Sequence, residues 1–326
     1  MTSANVSFDK IQTSTRKPGV YVEWNTKLAV RNLPTNKQRV LLIAQHSNPK
    51  AGKLTALANI ISAADVAAAY GAGSQAHLMA LAAIKAYAYA DLSLITVADN
   101  EAGVAATGSI TITGTADTQG VLRVNIGNAD SLTVGVAANA TAATVAAAIK
   151  AAIDAETSLP VTATTSEGLV TLTAKNKGTH GNHIRIRTGN TAEGITVAVK
   201  AMSGGDADAD IGPALNAVIA EGHNLIAVGC TDEANLLKLR THLETVGAPE
   251  EKRWALGIYG QTGALAQTTT QAGRLNSGYL YAAWYRKTPS LPCELAAAFA
   301  AVVASEEDPA RPLNTLKLNG IGVCDS

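Results

Sequence analysis

Between Asp99 and Asp210 the chain changes its hydrophobic period, and that change constrains the fold more than any other feature. Before it, Val40–Ala44 and Leu92–Val97 are short, continuous apolar runs, as in strands buried on both faces. Two helical segments lie between them. One begins at Ser62, carries Asp65 in its first turn and is stopped by Gly71 and Gly73; the next runs from about Ser74 to Ala90, with Leu78, Leu81, Ile84 and Lys85 at helical spacing. A strand–helix–strand unit of this kind makes a parallel crossover. After Asp99 the pattern becomes alternating and rich in Thr and Val. Strands are expected at Ser109–Thr113, Val121–Ile126, Ser131–Val136, Val161–Thr165, Leu169–Thr173, His183–Arg187 and Ile195–Val199. One helix interrupts them, Thr141–Ala155, with Thr141 as N-cap. Ser203–Asp210 reads as a flexible acidic linker.

Helix and buried strand then alternate again. Helices are expected at Ile211–Ala220, Asp232–Val246, Gly263–Leu275 (partly loop) and Pro292–Ala304. Strands are expected at Leu225–Gly229, Arg253–Tyr259 and Tyr279–Tyr285. The fold class is therefore α/β: a mixed or mostly parallel sheet with helices, residues 40–100 plus 206–308, interrupted by a β-rich, sandwich-like insertion with one helix at 101–205.

The first 39 residues have no helical period. Pro18 fixes its own φ and Gly19 permits a sharp redirection, after which Val20, Val22 and Trp24 alternate with Tyr21 and Glu23. No hairpin partner follows, because Asn25–Arg39 is polar and broken by Pro34. A strand without a local partner pairs at long range or with another chain. Residues 1–39 are thus expected to be an extended arm, with Val20, Tyr21, Val22 and Trp24 as inter-subunit contacts.

The chemistry-bearing residues make no catalytic or metal constellation. Lys and Arg balance Asp and Glu at 26 each, so no basic excess points to nucleic acid. No apolar run reaches the ~20 residues of a membrane-spanning helix, so no membrane partner is expected. Met1–Gln12 is polar, unlike a signal peptide. Cys230, Cys293 and Cys324 lack metal or redox spacing and read as reduced structural thiols. Cys230 follows a strand end, where His223 is the sole local base for a nucleophile; a structural thiol is the simpler reading. Gly71-Ala-Gly73 lies between helices, the wrong context for a dinucleotide loop, and Ala51–Thr55 lacks the upstream glycine of a phosphate loop. His180 and His183 have no carboxylate or cysteine nearby to complete a metal site. His46, His77, His223 and His242 read as surface or helix-end residues. Arg240, Glu244, Glu250, Glu251, Lys252 and Arg253 form a charged group that suits a subunit contact or a solvated helix end. Glu306-Glu307-Asp308 before Pro309 reads as a solvated helix exit. No catalytic residue, cofactor or metal is assigned.

Four segments, in order, resemble contractile phage tail sheath proteins, most closely of the Mu-like prophage type. They are Pro18–Glu23, Val40–Ala44, Gly178-Thr-His-Gly-Asn-His-Ile-Arg-Ile186 (similar to a Gly-x-x-Gly-Asn-x-Ile pattern) and Ala310–Ile321. The resemblance implies a structural subunit, not an enzyme, that polymerises as stacked rings around a tail tube and contracts to drive the tube through the host envelope. It implies neighbouring sheath subunits, tail tube protein, baseplate and tail terminator as partners, and assembly in the bacterial cytoplasm into a virion tail. Arms that add strands to neighbouring subunits would account for Val20, Val22 and Trp24. Such proteins carry a further C-terminal domain, so residues 309–326 are expected to be a linker to a domain this chain lacks. The sheath of a headless contractile particle (R-type bacteriocin-like) fits the same residues. A nucleotide- or sugar-binding α/β enzyme is the alternative of another class. A carbohydrate-binding insertion is a third, against which stands the absence of Trp, Tyr and Phe between Glu101 and Asp210.

Overall fold

A computed structural model describes residues 18–20, 38–306 and 312–323. The central element is a six-stranded sheet. Its strand β1 (Arg39–Gln45) buries Val40, Leu41, Leu42 and Ile43 completely, which stabilises by roughly 1.5–3 kcal/mol for each side chain. β1 pairs in parallel with β3 (Asp91–Val97) on one side and with β11 (Leu225–Val228) on the other. β12 (Leu256–Gln261) and β13 (Leu280–Trp284) extend the sheet in parallel beyond β11. β2 (Ala58–Ile60) closes the opposite edge, antiparallel to β3, giving the order β13-β12-β11-β1-β3-β2.

Alternation along β1 sends Val40, Leu42 and Ala44 to one face and Leu41 and Ile43 to the other. On the first face lie α2 (Gln75–Ala86) and α7 (Pro292–Ser305), both rich in buried alanine. On the second lie α4 (Gly212–Ala217) and α5 (Glu233–Val246), through Leu215, Leu236, Leu239 and Leu243. α1 (Ala63–Tyr70) is capped by Ser62, and α6 (Leu265–Leu275) seats Leu275 in the second apolar layer.

The Thr- and Val-rich stretch builds two smaller antiparallel sheets. One contains β4 (Thr107–Gly114), β7 (Val161–Ser166), β8 (Leu169–Ala174) and β10 (Ile195–Ser203) in the order β10-β4-β8-β7. The other contains β5 (Gly120–Ile126), β6 (Leu132–Val136) and β9 (Ile186–Asn190) in the order β6-β5-β9. α3 (Ala142–Ala155), capped by Thr141 Oγ1, lays Val145, Ile149 and Ile153 against them. Their apolar residues join those of α2 and α7 in one continuous cluster.

Several boundaries differ from expectation, for local reasons. α2 stops at Ala86, four residues early, where Tyr87 turns extended and packs edge-on against Tyr89. α4 ends at Ala217, and Val218–Gly222 turns back toward β11. β12 starts at Leu256, not Arg253, because the Arg253 N–H donates to Val246 O and closes the end of α5. The strand expected at His183–Arg187 starts at Ile186, since Thr179–His183 forms a 3-10 turn.

Ser203–Asp210 is not a loose linker. Asp206 bridges to Val104, the Asp208 carboxylate accepts from Thr179 N (2.5 Å) and Thr179 Oγ1 (2.6 Å), and Asn182 exchanges two hydrogen bonds with Gly205. Glycine and acid at these positions supply a tight turn and acceptors for buried donors.

Candidate functional site

In an open α/β sheet, ligands bind beyond the carboxyl ends of the strands, where the chain switches direction across the sheet. Here that point lies between β1 and β11, since the chain leaves β1 for β3 on one side and returns to β11 on the other. Protein side chains fill the crevice. Gln75 Oε1 accepts from Gln45 N (2.8 Å), and Gln75 Nε2 donates to Gly229 O (3.0 Å), so one amide ties the ends of β1 and β11 together. Gly229 leaves room for it: a Cβ there would lie 2.4 Å from the Gln75 amide carbon.

Asn176, from the turn after β8, completes the plug. Its Oδ1 accepts from Gln75 N (2.9 Å), and its Nδ2 donates to His46 O (3.0 Å) and Asp99 Oδ1 (2.9 Å). Asp99 also accepts from Gln45 Nε2 (3.0 Å) and Lys177 N (3.0 Å). Burial pushes the Asp99 carboxyl up, and the Asn176 and Lys177 donors draw it partly back. A cavity of about 10 Å³ remains among Gln45, Gln75, Asp208 and Cys230, too small for a nucleotide.

The remaining candidates do not converge. Burial raises the Cys230 thiol well above its ordinary range. His223 sits before the amino end of β11, seven residues and about 20 Å of extended chain from Cys230, beside Arg39 and Asp91. No nucleophile–base pair forms between them. Cys293 is buried in α7. His46, His77, His223 and His242 are not surface residues: all four are buried, and burial lowers each of them, His223 to about 4. Their burial comes from elements distant in sequence, a context that single-residue reading misses. His180 is buried, is pushed down to about 4 and leaves Nδ1 without a partner. His183 Nδ1 lies 3.5 Å from Thr262 Oγ1. No group of three or more His, Cys, Asp or Glu among the described residues is arranged to hold a metal.

Of the charged group, Arg240 Nε pairs with Glu244 (2.7 Å) and Arg253 pairs with Glu251, exposed pairs of the kind worth about 0–1 kcal/mol. Glu306 caps the end of α7, while Glu307 and Asp308 lie outside the described residues. Of the arm, Val20 is 94% exposed, and Tyr21, Val22 and Trp24 lie outside the described residues. Sequence reasoning passed over Gln75, Asn176 and Asp99. Their one legible sign was position, just after an N-cap, beside the Gly178 turn and at the end of β3.

A carboxylate missed in the same way lies at the start of α7. Glu294 is 6% exposed, and its Oε2 accepts from Leu291 N (2.6 Å). Burial lifts it from the ordinary 4.5 to about 7. The folded state therefore holds this proton to higher pH than the unfolded state does. Stability falls as pH rises from about 4.5 to 7, and the full penalty, at most about 3 kcal/mol, persists above that. Glu294→Gln keeps an acceptor for Leu291 N. Thermal melts are expected to show the variant several degrees more stable than wild type at pH 8 and nearly equal to it at pH 5. A lower melting temperature at pH 8 would contradict this.

No family model matches the chain. A curated relative, the Mu-like prophage FluMu tail sheath protein of Haemophilus influenzae, is 30% identical over 324 residues, which is 97% of this chain. The chain belongs to the tail sheath protein family. It spans 66% of that relative's length. A solved sheath tail protein from Desulfitobacterium hafniense aligns with 87% of this tail sheath family member and 62% of its own chain, at 15% identity and a TM-score of 0.34. That score is too low to bear on architecture.

Proposed function

We propose that this chain is a structural subunit of a contractile tail sheath. Copies polymerise around a tail tube in the bacterial cytoplasm, form part of a virion tail and, on a baseplate signal, contract to drive the tube through the host envelope. Neighbouring sheath subunits, tail tube protein, baseplate and tail terminator are the partners, and no bond-making chemistry is involved. The alignment over 97% of the chain carries this proposal. The filled crevice between β1 and β11 supports it, because the place where this kind of sheet holds a nucleotide is taken by Gln75 and Asn176.

In this proposal residues 40–100 and 206–308 form a discontinuous α/β core domain, and residues 101–205 are a peripheral, inserted decoration. Residues 1–39 are an arm that adds a strand to a neighbouring subunit through Val20, Tyr21, Val22 and Trp24. Work comes from the free-energy difference between two packings of the same subunits, repeated over many copies.

Val22→Pro removes one backbone donor and fixes φ, which costs about 1–3 kcal/mol at every arm when a paired donor is lost. Electron microscopy of particles assembled with the variant is expected to show few complete sheaths. Normal sheath length and number would remove the arm from the proposal. A nucleotide screen that raised the melting temperature of the chain would favour the enzyme instead.

A further inference from the structure

A cavity of about 360 Å³ opens where α2, the start of α7 and the β5–β6 turn meet, and nothing described so far uses it. Its size is at the lower end of small-molecule sites. Leu78 and Leu81 of α2, Ile126, Leu132 and Leu291 give it apolar walls. Asn128 Nδ2 donates to Gly320 O (2.7 Å) and closes one side. Glu294 lines the interior. Beyond the bond from Leu291 N to Oε2, its second oxygen, Oε1, has no hydrogen-bond partner among the described residues. Asp130 and Glu156 stand exposed at the mouth and draw cations toward it.

Lys85 is the one basic residue on the lining; its charge draws the Glu294 carboxyl slightly down from a distance, but its ammonium does not reach the carboxylate. The two form no ion pair within 4 Å, and the Lys85 stem runs along Gly320, where an added Cβ would lie 2.9 Å from Lys85 Cβ. A nine-tenths-buried carboxylate with an open oxygen, in a pocket that mixes leucine walls with polar groups, is complementary to a cation on an apolar stem.

We propose that this cavity binds a primary ammonium carried on a short aliphatic stem, the ammonium on Glu294 Oε1 and the stem against the leucine walls. A free alkylamine and the lysine side chain of another protein chain share this chemistry. The proposal is independent of the sheath reading. Burial holds Glu294 partly protonated near neutrality, so an arriving cation recovers the cost of ionising it.

The test uses the full chain with n-butylammonium, Nα-acetyl-lysine amide and butan-1-ol as probes, followed by calorimetry and ligand-observed NMR at pH 8. Butylammonium is expected to bind in the millimolar range, and Glu294→Gln to weaken it by about tenfold or more. Melting curves serve to check that the variant is folded. Binding of the lysine amide as well assigns the pocket to a lysine side chain, and its exclusion assigns it to a free amine. Equal binding of butan-1-ol, equal binding by Glu294→Gln, or no binding of butylammonium overturns the proposal. So does binding that appears only in Lys85→Ala, which would make Lys85 the natural partner of Glu294.

Discussion

Asn176→Ala is expected to cost about 3–5 kcal/mol of stability, a large loss for removing one polar side chain. Asn176 is 2% exposed and makes three hydrogen bonds, to Gln75 N, His46 O and Asp99 Oδ1. Alanine leaves all three partners buried and under-satisfied, at about 1–3 kcal/mol each before relaxation. Some of that cost returns if water enters the space the amide leaves. The Asp99 carboxyl, already raised by burial, loses a donor and rises further. The partners span residues 46 to 99 of the α/β part, while Asn176 belongs to the β-rich part. The substitution therefore also removes one of several ties between the two, the Lys177 N bond to Asp99 and the shared apolar cluster remaining. Urea unfolding gives the stability, and hydrogen exchange at the Gln75 amide reports the local opening. A change under about 1 kcal/mol with Gln75 still protected would mean that the plug is ornamental.

That plug also marks where sequence reasoning ran out. β1 and β3 were legible because Val40–Ala44 and Leu92–Val97 are apolar on both faces, a pattern few other elements produce. α3 was legible from Thr141 and the spacing of Val145, Ile149 and Ile153. β2 was not, since Ala58–Ile60 is three residues long and owes its strand form to pairing with β3. Asn176 and Gln75 are 101 residues apart, and each alone is an ordinary turn or cap residue; their meeting is a property of topology. The Gly204-Gly205 pair and the acids after it suggested looseness, yet Asp208 receives the Thr179 N–H and hydroxyl, and Asp210 receives Gly212 N and pairs with Lys238. Buried histidines were misread for the same reason: nothing in the sequence next to His46 or His242 announces the elements that cover them.

Among the described glycines, Gly260 leaves the least room for a side chain, and it gives the second large effect. Gly260→Ala is expected to destabilise beyond the ~1–3 kcal/mol of ordinary overpacking, to the point of little soluble protein. A Cβ at Gly260 would lie 1.8 Å from the Pro292 carbonyl oxygen and 2.5 Å from its carbon. Both sides of this clash are backbone, so no rotamer change relieves it. Either β12 leaves its register between β11 and β13, or the first turn of α7 lifts off the sheet. Lifting α7 uncovers Leu295, Ala296, Ala300 and Ala301, all buried against the sheet and α2. It also moves Leu291 and Glu294, and with them a wall of the cavity. Gly273→Ala is the matched control, in α6 with nothing within 4 Å of the added methyl. There alanine replaces a poor helix former in the helix interior and is expected to gain about 0.5–1 kcal/mol. Soluble expression and melting temperatures of the two variants should therefore move in opposite directions from wild type. A Gly260→Ala protein that melts within a few degrees of wild type would show that α7 does not seat on β12 at this distance.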